Sequence, residues 1–257
     1  MPDHSILFLD PSIEVTLPYQ MDAGLQFGLG CFETILIRDK VFFLEEHLTR
    51  LNQSLGYFGM GCSISRDAVE ALIQKQDLKH VALKLIVTEK NRFALVRPLP
   101  YGALDYHKGK KVTISRVIKS KHSALVSHKT LNYGDNMWEL KRAKQSGYDD
   151  CLFLNEEGHM TESCVANLFL VQDEQLITAP SSDGLLPGII RNKIIEQFPV
   201  RQKHITRSDV MSCQAAFLTN SLLGAMHITQ IDERNHFEEH HLIRQVKQFL
   251  GDVLPRR

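Results

Sequence analysis

Apolar residues change their spacing several times along the chain, and each change predicts an element. Leu44, Leu48, Leu51 and Leu55 recur at intervals of four, three and four, one buried face of a helix, with Arg50 off that stripe. Just before them, residues 35–37 and 41–44 are β-type runs flanking Arg38-Asp39-Lys40, which predicts a hairpin. A second helix is expected over 66–76, and strands over 80–88 and 93–99. Pro98, Pro100, Gly102 and Gly109 then interrupt all periodicity. That break suggests two domains: a small α/β domain over 1–104, a linker over 105–110 and a larger domain over 111–257.

Beyond the break, a strand is expected over 111–117 and a helix over 132–145, with Asn132 as its N-cap and Tyr133, Met137, Leu140 and Lys144 on one side. Residues 151–154, 166–171 and 175–178, separated by turns at 156–158 and 173–174, predict an antiparallel meander. Gly188 opens a helix running to about 198. Strands near 200–206, 215–220 and 226–232 and an amphipathic helix over 237–250 complete the chain. Strands and helices mix without regular βαβ alternation, so the fold class is α+β.

Composition narrows the function. The 257 residues can bury a large core. Thirty basic side chains balance thirty acidic ones, leaving no net field for nucleic acid or an anionic membrane. Five scattered cysteines, Cys31, Cys62, Cys151, Cys164 and Cys213, lack the paired spacing of a zinc site and read as reduced thiols. The start of the sequence has no leader pattern, and no run approaches eighteen apolar residues, so a cytoplasmic protein is expected. Gly24, Gly28 and Gly30 match neither nucleotide-loop pattern. His236, His240 and His241 are read as a solvated helix face, and no metal is expected. No Gly-x-Ser-x-Gly elbow supports a hydrolase.

The chemical candidates are few. Lys129 precedes a helical segment, and at the positive end of a helix the ammonium form is disfavoured, leaving more neutral amine to attack a carbonyl. Lys129 is either a Schiff-base lysine or one more solvated surface lysine. Glu162, on or beside a strand, can hold a pyridine nitrogen protonated, as pyridoxal phosphate chemistry requires, or is an exposed strand-edge charge. Leu186-Pro187-Gly188-Ile189-Ile190-Arg191 joins a turn to a helix start, which offers backbone amides to an anion or is an ordinary N-terminus. Arg50 can add a guanidinium, and Thr219-Asn220-Ser221 can add hydrogen bonds.

These pieces resemble, together and in order, signatures of the fold-type IV pyridoxal-phosphate enzymes. The segments are Phe27-Gly28-Leu29-Gly30-Cys31-Phe32-Glu33-Thr34, Glu46 to Leu51, Lys129-Thr130-Leu131-Asn132, Thr161 to Phe169, and Leu186 to Arg191. The resemblance implies a small N-terminal α/β domain and a larger C-terminal pseudo-barrel domain with the cofactor, pyridoxal 5'-phosphate, between them. It also implies that Lys129 forms the Schiff base and Glu162 pairs with the pyridine nitrogen. Arg50, the amides of Ile189 and Ile190, and Ser221 would bind the phosphate, and Leu186 would pack on the ring. A homodimer acting on a small molecule is expected.

Within that family, Thr161 to Phe169 and Thr219-Asn220-Ser221-Leu222-Leu223-Gly224 look most like aminodeoxychorismate lyase, which makes p-aminobenzoate and pyruvate on the way to folate. The alternatives are a D-amino-acid or branched-chain amino-acid aminotransferase and a non-catalytic pyridoxal-phosphate-binding protein. Val87 to Arg92 lacks the arginine-glycine pair of many members, and Glu33 stands where some lyases have threonine. Glu33, Arg92, Arg97 and His107 are the candidate substrate residues.

Overall fold

The computed structural model describes residues 19–235 and 238–253. After a short helix α1 (Ala23–Phe27), strand β1 (Gly30–Ile37) leads into helices α2 (Leu44–Tyr57) and α3 (Arg66–Lys75) and strands β2 (Val81–Thr88) and β3 (Arg92–Pro98). The three strands form one antiparallel sheet, β1-β2-β3. Side chains alternate across it. Cys31, Ile35, Ile37, Leu83, Leu85 and Val87 pack on the leucine stripe of α2, as the spacing of that stripe predicts. The opposite face of β1 sends Leu36 into a second core with Phe169 and Phe217.

The next elements are α4 (Ala103–Lys108), β4 (Lys110–Lys119), α5 (Gly134–Gln145), β5 (Asp150–Asn155), β6 (Met160–Ser163), β7 (Asn167–Gln172) and β8 (Gln175–Thr178). They are followed by α6 (Ile189–Gln197), β9 (Val200–Gln202), α7 (Arg207–Ser212), β10 (Ala215–Asn220), β11 (Gly224–Ile231), β12 (Arg234–Asn235) and α8 (His241–Val253). Strands β4 to β12 form one nine-stranded sheet in which β10 pairs with both β11 and β7, closing a six-stranded ring β10-β11-β4-β5-β6-β7. The class is α+β. Leu152, Leu168, Leu170, Ala216, Leu218, Met226 and Ile228 converge from these strands into one core, and alternate residues Phe169, Val171, Ala215 and Phe217 pack with α6 and α8. Because both faces of β7 and β10 are covered, these strands are continuous apolar runs.

Several expectations change. The hairpin around Arg38-Asp39-Lys40 closes with one bridge, Ile37 to Val41, because Leu44 already begins α2. The aperiodic stretch before β4 holds the helix α4, whose start is capped by Asp105 accepting from the Gly102 amide at 2.8 Å. Glu162, expected on or beside a strand, lies in the four-residue strand β6, and the six-residue helix α7 is too short for the apolar pattern to predict. Helix α8 starts at His241, and the expected start near 237 lies outside the described residues, as does His236.

The largest correction concerns Asn132. It does not cap α5, which begins at Gly134 behind Tyr133; its side-chain amide instead donates to the Gly28 carbonyl at 2.9 Å. The stretch from Lys129 is extended: the Phe32 amide donates to the Lys129 carbonyl and the Leu131 amide to the Gly30 carbonyl, both at 2.8 Å. This bridge explains the glycines at 28 and 30. Gly28 takes a left-handed φ of 74°, and a Cβ on Gly30 would lie 2.6 Å from Leu131 Cδ1.

Candidate active site

Lys129 is therefore held by β1, five residues ahead of α5. Its ammonium nitrogen lies 4.6 Å from the centre of the Phe32 ring and 5.4 Å from that of Tyr133. Enclosure by protein, reinforced by the nearby Arg50 guanidinium, brings the amine down to about 8, against the opposing pull of Glu33 and Glu162. The lowered basicity expected from sequence is present, but enclosure is its main cause rather than a helix terminus. Lys129, Tyr133, Glu162 and Leu186 line two adjoining cavities of about 490 and 600 Å³. The larger one also reaches Arg50, Gly188, Ile189 and Ser221.

Glu162 projects from β6. Its Oε2 accepts from the Leu186 amide and from Asn167 Nδ2, both at 3.2 Å, and the same Asn167 nitrogen donates to the Leu186 carbonyl at 2.8 Å. Desolvation pushes the carboxyl up to about 7, opposed by the Leu186 amide and by Lys119, Lys129 and Arg50. Such a group becomes a firm anion only beside a cation, which is what a protonated pyridine nitrogen would be. The turn after it is anchored by buried Asp150, whose Oδ1 accepts from the Cys151 and Cys164 amides and whose Oδ2 accepts from Ser163 Oγ at 2.9 Å. The Cys164 carbonyl then receives Tyr133 Oη at 2.9 Å and Asn136 Nδ2 at 2.8 Å. One turn thus fixes both Glu162 and Tyr133.

Arg50 is oriented from behind. Buried Glu33 binds it through Oε1 to Nε at 2.6 Å and Oε2 to Nη2 at 2.8 Å, and His47 Nδ1 donates to Oε2 at 2.6 Å. Burial would raise the Glu33 carboxyl, but Arg50 and His47 overcome it and hold the group at about 2. Glu33 is thus corrected from substrate ligand to positioning residue, since both its oxygens are taken. Arg50 Nη1 also donates to the Pro187 carbonyl at 3.0 Å, which ties α2 to the start of α6. A guanidinium has five N–H groups, so two remain for an anion.

Those residues fit a phosphate. The first-turn amides of α6, including Ile189 and Ile190, have no acceptor within the helix. Gly188 lets the chain approach closely, because a Cβ there would sit 2.0 Å from Asn167 Oδ1. The Thr219 hydroxyl is buried without a partner in the same cavity that Ser221 lines. With Lys129 and Glu162 at its other end, this donor set suits pyridoxal phosphate.

The other candidates divide. Arg97 lines the larger cavity; Arg92 and His107 are exposed and stand outside both linings. Arg92 falls at the first position of β3, and His107 near the end of α4, so neither is delivered to Lys129. Tyr133, Met137, Leu140 and Lys144 do share a side of α5, but that side faces the cavity; the buried face carries Asn136, Glu139 and Ala143. Sequence reasoning missed Asp150 and Lys84 as site residues, while Thr219 and Asn167 lie in segments it singled out without giving either residue a role of its own. Lys84 alone left a signal, as the one charge in the apolar run of β2.

A family model described as amino-transferase class IV matches residues 30–231. The chain is 25% identical to a probable branched-chain-amino-acid aminotransferase of Rickettsia felis over 84% of this chain and 82% of that one. It is also 25% identical to the aminodeoxychorismate lyase of Bacillus subtilis, with the same two coverages. Among solved structures, a putative 4-amino-4-deoxychorismate lyase from Legionella pneumophila superposes with a TM-score of 0.84 at 28% identity, covering 93% of this chain and 97% of the other.

Proposed function

The chain belongs to the class IV aminotransferase family and has pyridoxal 5'-phosphate as its cofactor, and from that premise we propose that it is a lyase converting 4-amino-4-deoxychorismate to p-aminobenzoate and pyruvate. The observation that carries this reading is the segment from Thr161 to Phe169. It holds Glu162 through Asn167 and Tyr133 through the Cys164 carbonyl, and its Cys-Val-Ala-Asn-Leu-Phe sequence resembles that of the lyase. The Legionella relative, matched over nearly the whole of both chains, carries the same name.

When bound, the cofactor supplies an electron sink for the carbon that bears the substrate nitrogen. Arg50, the first turn of α6 and the hydroxyls of Thr219 and Ser221 would hold its phosphate, and Glu162 would keep the pyridine nitrogen protonated. Lys129 Nζ, facing the same cavity as Glu162, would take the proton from that carbon. An amine lowered to about 8 is suited to this, since a useful fraction is neutral near pH 7. Breaking the adjacent carbon–oxygen bond expels the pyruvate enol and leaves an aromatic ring, and Lys129 can return its proton to the departing fragment. No other reactant is consumed.

The second reading is an aminotransferase, favoured by the branched-chain name of the Rickettsia relative. It uses the same base but requires a 2-oxo acid to close its cycle. Cofactor-loaded protein is incubated with aminodeoxychorismate with and without 2-oxoglutarate. Release of p-aminobenzoate without the oxo acid supports the lyase. Amino transfer to 2-oxoglutarate with no p-aminobenzoate establishes the second reading, and neither product leaves a binding protein. The lyase reading carries with it a place in folate formation and a homodimeric enzyme, the latter checked by sedimentation.

A further inference from the structure

Away from the cofactor cavities, three side chains able to ligate a metal converge from three separate segments. His159 comes from the turn before β6, Asp183 from the 3-10 turn Ser181–Asp183 that precedes α6, and His204 from the stretch after β9. One ligating atom from each lies within 4.8 Å of the other two. None of the three lines either cavity. His204 Nδ1 donates to Asp183 Oδ1 at 2.7 Å, and the two imidazoles stack with their centres 4.6 Å apart.

Two features separate this cluster from an ordinary surface ion pair. Asp183 is only 1% exposed, and among the described residues its Oδ2 has no hydrogen-bond partner. His159 Nδ1 also makes no hydrogen bond, although Glu157 Oε2 stands 3.5 Å from it. A buried carboxylate oxygen left bare is costly unless a cation meets it, and the nearby Lys121 is engaged by Glu157. The second feature is a fixed backbone. Buried Asn155 accepts the His159 amide through Oδ1 at 3.0 Å, donates its own amide to the His159 carbonyl at 2.9 Å and donates Nδ2 to the Asp183 carbonyl at 3.1 Å. The Met160 amide donates to the Ile205 carbonyl at 2.7 Å, which sets His204 beside His159. By contrast, the group of Glu174, His240 and His241 has no buried member.

We propose that His159, Asp183 and His204 form a binding site for one zinc ion. Two imidazole nitrogens and one carboxylate oxygen suit zinc, whereas magnesium and calcium prefer oxygen alone. Ligand bonds of about 2.1 Å at a tetrahedral angle put donor atoms about 3.4 Å apart, a contraction that rotation of the exposed His204 ring supplies. Zinc replaces the His204–Asp183 hydrogen bond with two bonds to the metal, the imidazole proton moving to Nε2, and water completes the shell. His159 stands three residues before Glu162 and Asp183 three before Leu186, so the ion clamps the two segments joined by the Glu162–Leu186 contact. Its role is structural.

The test uses the full cofactor-loaded chain, freed of metal by a chelator and titrated with zinc chloride by calorimetry. One equivalent is expected to bind the parent. His204→Ala, a change at a mostly exposed ring, should weaken binding at least about tenfold, the scale on which even outer-shell partners of a metal act. Asp183→Asn should do the same. Cobalt should give the visible bands of a four-coordinate ion in the parent and not in His204→Ala. Zinc should raise the melting temperature of the parent, and magnesium should not. Unchanged cofactor absorbance in His204→Ala shows that this variant is folded. Zinc binding that is absent from the parent, or equal in the parent and His204→Ala, overturns the site, as does a zinc-dependent melting shift of the same size in both.

Discussion

The carboxylate of Glu33 meets the guanidinium of Arg50 through two hydrogen bonds, of 2.6 and 2.8 Å, from a position on β1 that water does not reach. The pair joins the first strand to α2 and, through the Pro187 carbonyl, to the start of α6. Glu33→Gln removes the charge while keeping the shape. Breaking a buried pair from one side costs about 3 kcal/mol, so the melting temperature should fall. Cofactor affinity should also drop by on the order of tenfold, the loss of roughly one charge-assisted hydrogen bond. Calorimetry and a cofactor titration check both, and a variant that melts and binds like the parent would remove Glu33 from the phosphate site.

On the proposed reading, Lys129→Ala removes the covalent anchor and the base together. Turnover should fall by at least about a thousandfold, and the visible absorbance of lysine-linked cofactor should vanish. Because Arg50, Glu162 and α6 are untouched, pyridoxal phosphate should still bind non-covalently and be removed by dialysis. Persistence of the absorbance would assign the link to another lysine.

Gly188 and Gly56 make a contrasting pair. A methyl group at 188 collides with Asn167 Oδ1, and Asn167 ties Glu162 to Leu186, so Gly188→Ala should cost about 1–3 kcal/mol and weaken cofactor binding. Gly56 lies inside α2 with nothing near its absent Cβ, so Gly56→Ala should stabilise by roughly 0.5–1 kcal/mol. Thermal melts of the two variants shifting in the same direction would contradict this account.

The cofactor-free protein should have a stability minimum between pH 7 and 8. Glu162 titrates at about 7 in the folded state, above its ordinary 4.5, so the folded form binds the extra proton and stability falls as pH rises through that interval. Lys129 titrates at about 8, below its ordinary 10.5, so the unfolded form binds the extra proton and stability rises from pH 8 towards 10.5. Each arm is worth about 2 kcal/mol, less than the full shift because the cavity admits water. Urea melts across pH 4–11 on the parent and on Glu162→Gln, which should lose the acid arm alone, measure it.

Much of this protein was legible before any coordinates. The leucine stripe of α2, the run of strands from β5 to β8 and the turn into α6 are local patterns, each set by the spacing of apolar side chains and by glycine or proline between them. Lys129, Glu162, Arg50 and Gly188 could be picked out because their chemistry and order are unusual in combination. Asn132 differs for an instructive reason: a polar residue before a helical pattern is an N-cap in most settings, yet here its amide serves Gly28, the C-cap of α1 a hundred residues earlier.

By itself, the sequence determined the α+β class, the helical and strand periods, and the short set of residues proposed to bind a phosphate-bearing aldehyde cofactor. Tertiary structure alone decided which of them meet. That Glu33 orients Arg50, that enclosure and not a helix end lowers the basicity of Lys129, and that His159, Asp183 and His204 come together all depend on strand register and desolvation. These arise only when segments far apart in the chain are packed together, and no local spacing encodes them.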